Sequence, residues 1–224
     1  MKVVSNLHHI RKHILRTLTY AKWARFSDMR PEKVDSNLYS YHLKQLIRDG
    51  YIEQHAEKGY RLSPMGLRFA DHVSLETFEQ RWQPKLLTMI VITNDKDQVL
   101  MWPKYKQPFI GKWSLPSGKM HYDDASIEAA AMREIGYFSS EPADELSHVG
   151  IVAFRALIDD ELVSHTIAHI FTATVNDKTF TGDRMKWIAV DLLGEMEMSP
   201  GTKEIIAAVR SAKNFFYESY DIDA

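Results

Sequence analysis

Residues 109–138 read FIGKWSLPSGKMHYDDASIEAAAMREIGYF, and this stretch decides the fold of the larger part of the chain. Its glycine- and proline-containing first part predicts a loop, and an acidic segment at 121–124 then leads into an alanine-rich helix over 125–138. Apolar runs on both sides predict strands at 86–93, 98–102, 150–157, 162–174 and 186–189. A final helix is predicted from Ser199-Pro200 to about Tyr217, because serine caps helices and proline fits the first turn. This alternation predicts a mixed α/β domain.

The same stretch resembles the Nudix family through Gly111, Trp113, Leu115-Pro116-Ser117-Gly118 and the Arg133-Glu134 pair. The resemblance covers about residues 85–218 and implies an α/β/α sandwich around a mixed sheet. It also implies hydrolysis of a nucleoside diphosphate derivative, in which magnesium neutralises the phosphate charge.

The family's motif, G-x5-E-x7-R-E-U-x-E-E-x-G-U with U apolar, places three glutamates on one helix face as a magnesium site. Here Gly118 begins the motif, Asp124 occupies the position of the first glutamate, and Arg133-Glu134 supplies the R-E pair after one extra residue. The resemblance therefore implies Glu134 and Arg133 as catalytic residues and Glu134 and Asp124 as metal ligands. The alternative for Glu134 is a salt bridge or a solvated position on the helix.

The rest of the motif departs from the family. Tyr137 and Phe138 stand where the motif has its two further glutamates, and Ser140 stands at its closing glycine. Two rings in place of two carboxylates should weaken divalent cation binding, because hard cations need oxygen ligands. We therefore expect impaired hydrolysis, with Tyr137 and Phe138 packed in the core.

A Nudix domain with impaired hydrolysis can still bind a ligand, because affinity and catalysis depend on different residues. Lys104 and Lys106 are candidates to meet phosphates, Phe109 or Trp113 could stack on a base or ribose, and Gly118 would line the same pocket. The alternatives are that Trp113 is a core residue and that both lysines are ordinary surface charges.

The first 70 residues predict helices followed by a hairpin. Apolar spacing indicates a helix over 7–18, a second short helix near 26–29, and a third from Asp35 or Ser36 to Gly50. Extended runs at 51–55 and 60–63 then flank a turn, and Ser63-Pro64 opens another helix. This order, and the phrases YHLKQLIRDGYIE and GYRLSPMG, resemble the winged helix-turn-helix of bacterial regulators.

The resemblance makes residues 36–48 a recognition helix and 51–63 the wing. We expect the apolar side of that helix to be formed by Leu38, His42, Leu43, Leu46 and Ile47. Its polar side and the hairpin give seven candidate DNA-binding residues: Asn37, Ser40, Tyr41, Lys44, Arg48, Lys58 and Arg61. A winged helix used for protein contacts is the alternative.

The charge distribution favours DNA. Residues 1–70 carry 13 lysines and arginines against 6 acidic residues, whereas the remainder carries 15 basic and 24 acidic residues. Such a basic N-terminal part is typical of a protein that binds a polyanion. The chain has no cysteine and no apolar run long enough to span a bilayer, so we expect a cytoplasmic protein without disulfides or thiolate metal sites.

We expect three parts: a winged-helix domain over 1–74, a helical connector over 75–85 and a Nudix-like domain over 86–224. The function expected is a transcription regulator that binds double-stranded DNA, as a homodimer by analogy, and senses a nucleotide-like metabolite of ADP-ribose type. No cofactor is implied for that role. The alternatives are a Nudix hydrolase with a non-standard magnesium site and an adaptor for protein contacts.

Overall fold

The chain folds into two compact units, Met1–Trp82 and Gln83–Ala224, in a computed structural model that describes residues 7–74, 82–137, 146–174 and 184–224. The predicted connector lies mostly outside the described residues. Each unit has its own apolar core. Within the described ranges, no helix has the length and apolar character needed to cross a membrane.

The first unit contains three helices and a hairpin. Its elements are α1 (His9–Thr19), α2 (Ser36–Arg48), β1 (Ile52–His55), β2 (Gly59–Leu62) and α3 (Pro64–His72). The strands of the hairpin are antiparallel, and β2 also forms a bridge with Ala24 through Tyr60. This order of elements is consistent with a winged helix.

The ends of these helices follow from single residues, as predicted. The Asp35 carboxylate accepts the backbone N–H groups of Asn37 at 2.8 Å and Leu38 at 3.2 Å at the start of α2. Gly50, just past its end, has a φ of +82°. The Ser63 hydroxyl accepts the Gly66 N–H at 3.0 Å and caps α3. Each cap satisfies donors that a helix start leaves unpaired.

Two predictions for the first unit were wrong. Leu38 is 46% exposed, and the buried aromatic residue of α2 is Tyr39, whose hydroxyl donates to the Phe26 carbonyl at 2.9 Å. Residues 26–29 form turns and not a helix. The Asp28 carboxylate holds the Arg25 N–H at 3.0 Å, a local bond that competes with helical pairing.

The second unit is an α/β/α sandwich around an eight-stranded mixed sheet, as predicted. Its elements are β3 (Lys85–Thr93), β4 (Gln98–Pro103), β5 (Trp113–Ser114), β6 (Ser117–Lys119), α4 (Ile127–Gly136), β7 (Leu146–Ile158), β8 (Glu161–Thr174), β9 (Lys186–Ala189), a 3-10 helix (Val190–Glu195), α5 (Thr202–Ser211) and β10 (Phe216–Asp223). The strand order is β10-β7-β8-β3-β4-β5, with β6 on β3 and β9 on β4. The pairs β3–β8 and β7–β10 are parallel, and the other pairs are antiparallel.

The alternation of side chains along β3 defines the two faces of this sheet. Ile90 and Ile92 pack in one cluster with Ala131 and Ile135 of α4. Met89 and Val91 pack in the other cluster, which includes Ile205 and Ile206 of α5. Residues of even number in β3 therefore face α4, and residues of odd number face α5.

The predicted last helix was wrong at its C-terminal end. The helix stops at Ser211, and the residues after it form β10 at the edge of the sheet. The Phe216 ring lies where a side chain on Gly150 of β7 would be, so the missing side chain makes room for it. Pairing with the open edge of β7 thus overrides a pattern of apolar residues that also suits a helix.

Replacing Gly59 by alanine should destabilise the first unit. Gly59 has a φ of +89°, and a Cβ there would overlap the carbonyl oxygen of Ala24. Backbone strain of this kind costs about 1–3 kcal/mol, to which the overlap adds. Urea unfolding followed by circular dichroism measures the loss. Gly136→Ala is the control, because a Cβ at Gly136 meets nothing within 4 Å; equal stability of the two variants would contradict this account.

Candidate functional site

The site residues of the Nudix motif are positioned by α4. The Ser126 hydroxyl accepts the Ala129 N–H at 3.1 Å and fixes the start of the helix. Ala131 and Ile135 then face the sheet, as the apolar spacing requires. Glu134, one residue before Ile135, is therefore carried to one flank of the helix.

Gly118 and Glu134, two residues that match the motif, are in direct contact. Glu134 is buried, with 8% of its surface exposed, and a Cβ on Gly118 would overlap its carboxylate. Only glycine therefore allows strand β6 and the Glu134 side chain to approach this closely.

Arg133 joins the loop to the helix through both of its acidic neighbours. Its Nε donates to Asp124 Oδ1 at 3.0 Å and its Nη2 donates to Asp124 Oδ2 at 2.8 Å, while its Nη1 donates to Glu134 Oε1. Nη2 also donates to the Lys119 carbonyl at 3.0 Å. The paired guanidinium, and then the His121 N–H at 2.6 Å, lower the pKa of Asp124 to about 2.

The side chains around Glu134 do not fit a magnesium site. Magnesium is held by free carboxylate oxygens together with substrate phosphates. Arg133 already binds both carboxylate oxygens of Asp124 and one of the two oxygens of Glu134. In the part of the chain that the structure describes, no group of three or more histidine, aspartate or glutamate side chains is placed to hold a metal ion.

The expectation that Tyr137 packs in the core was wrong. Tyr137 follows the last residue of α4 and is 69% exposed, because the helix ends before its side chain could turn toward the sheet. Phe138 and Ser140 lie outside the described residues. The end of α4 thus presents a phenol to solvent where the motif has a carboxylate.

The residues predicted to bind a ligand do not all converge. Lys104 is half-buried, whereas Lys106 is exposed with its Nζ 5.0 Å from the ring of Tyr105. Trp113 packs against the core on the α5 side of the sheet, and Phe109 lies 5.8 Å from the Lys112 ammonium group. Gly118 contacts Glu134.

Part of the sheet face beside α4 remains accessible. Helix α4 covers Ile90 and Phe171, which are fully buried, but Leu86 is 39% exposed on the same face. Ile167, which pairs with Leu86 across β3 and β8, is half-buried, and so is Ile151 on β7. An apolar platform next to Gly118 and Glu134 suits the base or ribose of a nucleotide-like ligand.

Sequence reasoning did not select His148. Its Nε2 lies 3.1 Å from Nδ1 of His169 on the neighbouring strand, and its ring stacks on Phe171 at 4.7 Å. Burial and the neighbouring His148 lower the pKa of His169. The register of β7 and β8 would have revealed the pair, but that register depends on a bulge after His148.

The first unit presents a second candidate site along α2. Asn37, Tyr41, Lys44 and Arg48 are exposed at spacings of three to four residues, and Ser40 is half-buried beside them. These residues form one polar stripe on the helix, as predicted.

Several cations of this surface already have intramolecular partners. Arg48 contacts Gln45 and lies 3.5 Å from Asp49. Arg61 pairs with Glu53 at 2.7 Å and lies 5.1 Å from the Trp23 ring, which Lys58 approaches at 5.8 Å. Lys44 has no ion pair among the described residues and is the most available cation of the stripe.

The Asp124–Arg133 pair should make stability depend on pH in the acidic range. The folded pKa of Asp124 is about 2, below its ordinary value of 3.8, so its contribution is complete above pH 4 and is lost as the pH falls toward 2. The gap in melting temperature between the wild type and Asp124→Asn should therefore close between pH 4 and pH 2. Asp123→Asn is the control, because Asp123 is exposed; a gap of constant size for Asp124→Asn would refute the pairing.

Several solved structures resemble this chain over about three fifths of its length, and two serve as examples. The mMutator MutT protein of Bacillus halodurans is 23% identical, with a TM-score of 0.51 over 62% of this chain and 90% of that chain. The NUDIX domain of Shewanella oneidensis NrtR, solved with ADP ribose, is 16% identical, with a TM-score of 0.51 over 64% of this chain and 96% of that chain. At these identities the similarity shows the fold alone. Comparison with curated proteins gives no match.

The family itself is shown by the sequence. The NUDIX domain family model matches residues 84–209, which is more than half of the chain. The match begins one residue before β3 and ends within α5, so it includes α4 and every strand of the sheet except β10. The chain belongs to the Nudix family.

Proposed function

We propose that the protein is a transcription regulator in which a winged helix binds double-stranded DNA and the Nudix domain senses a nucleotide-like metabolite of ADP-ribose type. The observation that carries the proposal is the exposed polar stripe of α2, within a stretch of 70 residues that has 13 basic and 6 acidic side chains. The polar side chains of the helix can form hydrogen bonds with base edges in a major groove, and the positive charge attracts the phosphates beside it.

The DNA-binding part rests on the orientation of α2. Its buried residues Tyr39, Leu43 and Leu46 hold it against the core, which leaves the opposite side, with Asn37 and Lys44, free to enter a groove. The neighbouring hairpin carries Lys58 beside its turn, where a wing would meet the phosphate backbone. A symmetric homodimer binding two half-sites would be the corresponding assembly.

The sensing part rests on the state of Glu134. This carboxylate is the single glutamate of the motif helix that matches the family pattern, and Arg133 already neutralises it. The same domain keeps the Gly118 contact and an accessible apolar platform. Binding without efficient cleavage follows from that combination, and the NrtR domain, complexed with ADP ribose, has the same fold.

Neutralising Lys44 and Lys58 should weaken DNA binding in a salt-dependent way. Each phosphate that the protein no longer neutralises should reduce the slope of log K against log salt concentration by about 0.9. Fluorescence anisotropy of a labelled duplex, titrated at several salt concentrations with the full chain, measures the slope for Lys44→Gln and Lys58→Gln. Lys213→Gln is the charge-matched control, since Lys213 is exposed in the other unit. An unchanged slope in both test variants would show that α2 and the hairpin do not bind the duplex.

The second candidate function is magnesium-dependent hydrolysis. The contact between Gly118 and Glu134 favours it, because it brings together two residues that match the family motif. It requires that Arg133 release Glu134 when magnesium and substrate bind. Release would replace one cation by another at the same oxygens.

A thermal shift assay with ADP-ribose separates the two functions. A sensor should be stabilised by about 2.7 kcal/mol when the ligand is present at one hundred times its Kd, and the ligand should be recovered intact. A hydrolase should release AMP in magnesium, and Glu134→Gln should abolish that release. A third outcome is possible: ADP-ribose does not stabilise the protein, no AMP is released, and the protein does not bind DNA at low salt. That outcome would leave the adaptor for protein contacts as the function.

A further inference from the structure

Leu38 is an exposed apolar residue at the border of the polar stripe of α2. It is 46% exposed, although the helix has an apolar side in Tyr39, Leu43 and Leu46, which are buried. Three residues after Leu38, Tyr41 is 55% exposed. Residues three apart are neighbours on a helix, so these two side chains lie next to each other near the start of α2.

Leu38 and Tyr41 are not part of the packing that holds the first unit together. Neither residue belongs to the apolar core of that unit or to the partly buried residues that pack against the core. The ring of Tyr41 meets only the edge of the His42 ring, with 5.3 Å between the ring centres, among the ring contacts of the described residues. A partner that covers Leu38 would therefore gain apolar burial that the fold itself does not use.

The first turn of α2 is fixed by hydrogen bonds from residues before the helix. Arg30 donates to the Val34 carbonyl through Nε at 3.0 Å and through Nη2 at 2.7 Å. The Asp35 carboxylate caps the helix, and the N–H groups of Leu38 and Asn37 that it accepts lower the pKa of Asp35. Asn37 and Leu38 are thus held beside an ionised carboxylate, which repels a phosphate group.

The cations of the polar stripe lie further along the helix. Residues 36–43 contain no lysine or arginine, whereas Lys44 and Arg48 follow. Lys44 is about 10 Å along the helix axis from Asn37, since each residue adds about 1.5 Å. Cations meet phosphates and carry no sequence information, whereas neutral polar and apolar groups distinguish base edges. The start of α2 therefore suits bases, and its later turns suit the phosphate backbone.

The chemistry of Asn37 and Leu38 matches one kind of base pair. The Asn37 carboxamide forms no hydrogen bond within the part of the chain that the structure describes, so both its donor and its acceptor are available. A carboxamide bonds adenine at N6 and N7 together. The methyl groups of Leu38 match the C5-methyl group of thymine, which is the apolar group that a base presents in the major groove.

We propose that Asn37 and Leu38 read two adjacent A·T base pairs in the major groove, Asn37 through hydrogen bonds to an adenine and Leu38 through contact with a thymine methyl group. This inference rests on the proposed DNA-binding function and adds the bases that the helix selects. Lys44 and Arg48 hold the helix on the phosphate backbone without selecting a sequence.

Selection of bound duplexes from a random library, with the full chain, tests the proposal first. The selected sequences should share a doublet of A·T base pairs. Replacing its thymines by uracil then removes the methyl groups, and wild-type affinity should fall about fourfold, the equivalent of one buried methyl group. Leu38→Ala should bind the thymine and uracil duplexes equally. Leu67→Ala is the matched control, since Leu67 is 59% exposed on α3 of the same unit, and it should respond like the wild type.

Two further measurements separate base reading from phosphate binding. Replacing the adenines of the doublet by 7-deazaadenine removes the N7 acceptor, which should weaken the wild type but not Asn37→Ala. Leu38→Ala should keep the wild-type slope of log K against log salt concentration, because it removes no charge.

The outcomes distinguish this proposal from the DNA-binding function on which it rests. Selected duplexes without an A·T doublet would overturn the base assignment while DNA binding stands, and so would a Leu38→Ala variant that still distinguishes thymine from uracil. A full chain that binds no duplex at low salt would overturn both.

Discussion

The two acidic residues of the motif are held by one guanidinium, and the local architecture of the second unit depends on that arrangement. Arg133 takes both oxygens of Asp124, one oxygen of Glu134 and the carbonyl of Lys119, so a single side chain fastens the loop after β6 to α4. Bidentate pairing of this kind is geometrically specific. The hydrogen bonds that fasten the loop to α4 also occupy carboxylate oxygens that a metal ion would need. The contacts that stabilise this part of the domain therefore support the proposed loss of hydrolysis.

Features that depend on a few neighbouring residues were predictable from the sequence. Asp35 and Ser63 cap helices because a side-chain oxygen can reach an N–H two or three residues later, and that rule needs no tertiary information. The strand at 85–93 follows from its composition. The Nudix resemblance singled out Gly118 and Glu134 separately, and their direct contact is a finding of the structure.

Features that depend on distant pairing were not predictable. The assignment of β10 required knowing that the edge of β7 is open and that Gly150 leaves room for Phe216. On α2 the predicted buried residues His42, Leu43 and Leu46 are correct, but Leu38 was chosen in place of Tyr39, because the hydrogen bond from Tyr39 to Phe26 is not encoded in helical spacing. The pairing of Lys119 with Leu87 follows from the register of β3 with β6, which neither segment specifies alone.

The parallel pairing of β3 with β8 has a kinetic consequence. Lys85 pairs with Thr166, and β7 pairs in parallel with β10 near the end of the chain, so neither pair can form until long segments have been synthesised. The first unit is built from neighbouring segments and can close early. The apolar strand Lys85–Thr93 must therefore wait, unpaired on one edge, while the ribosome completes the domain, and that interval is when the nascent chain is most exposed to aggregation.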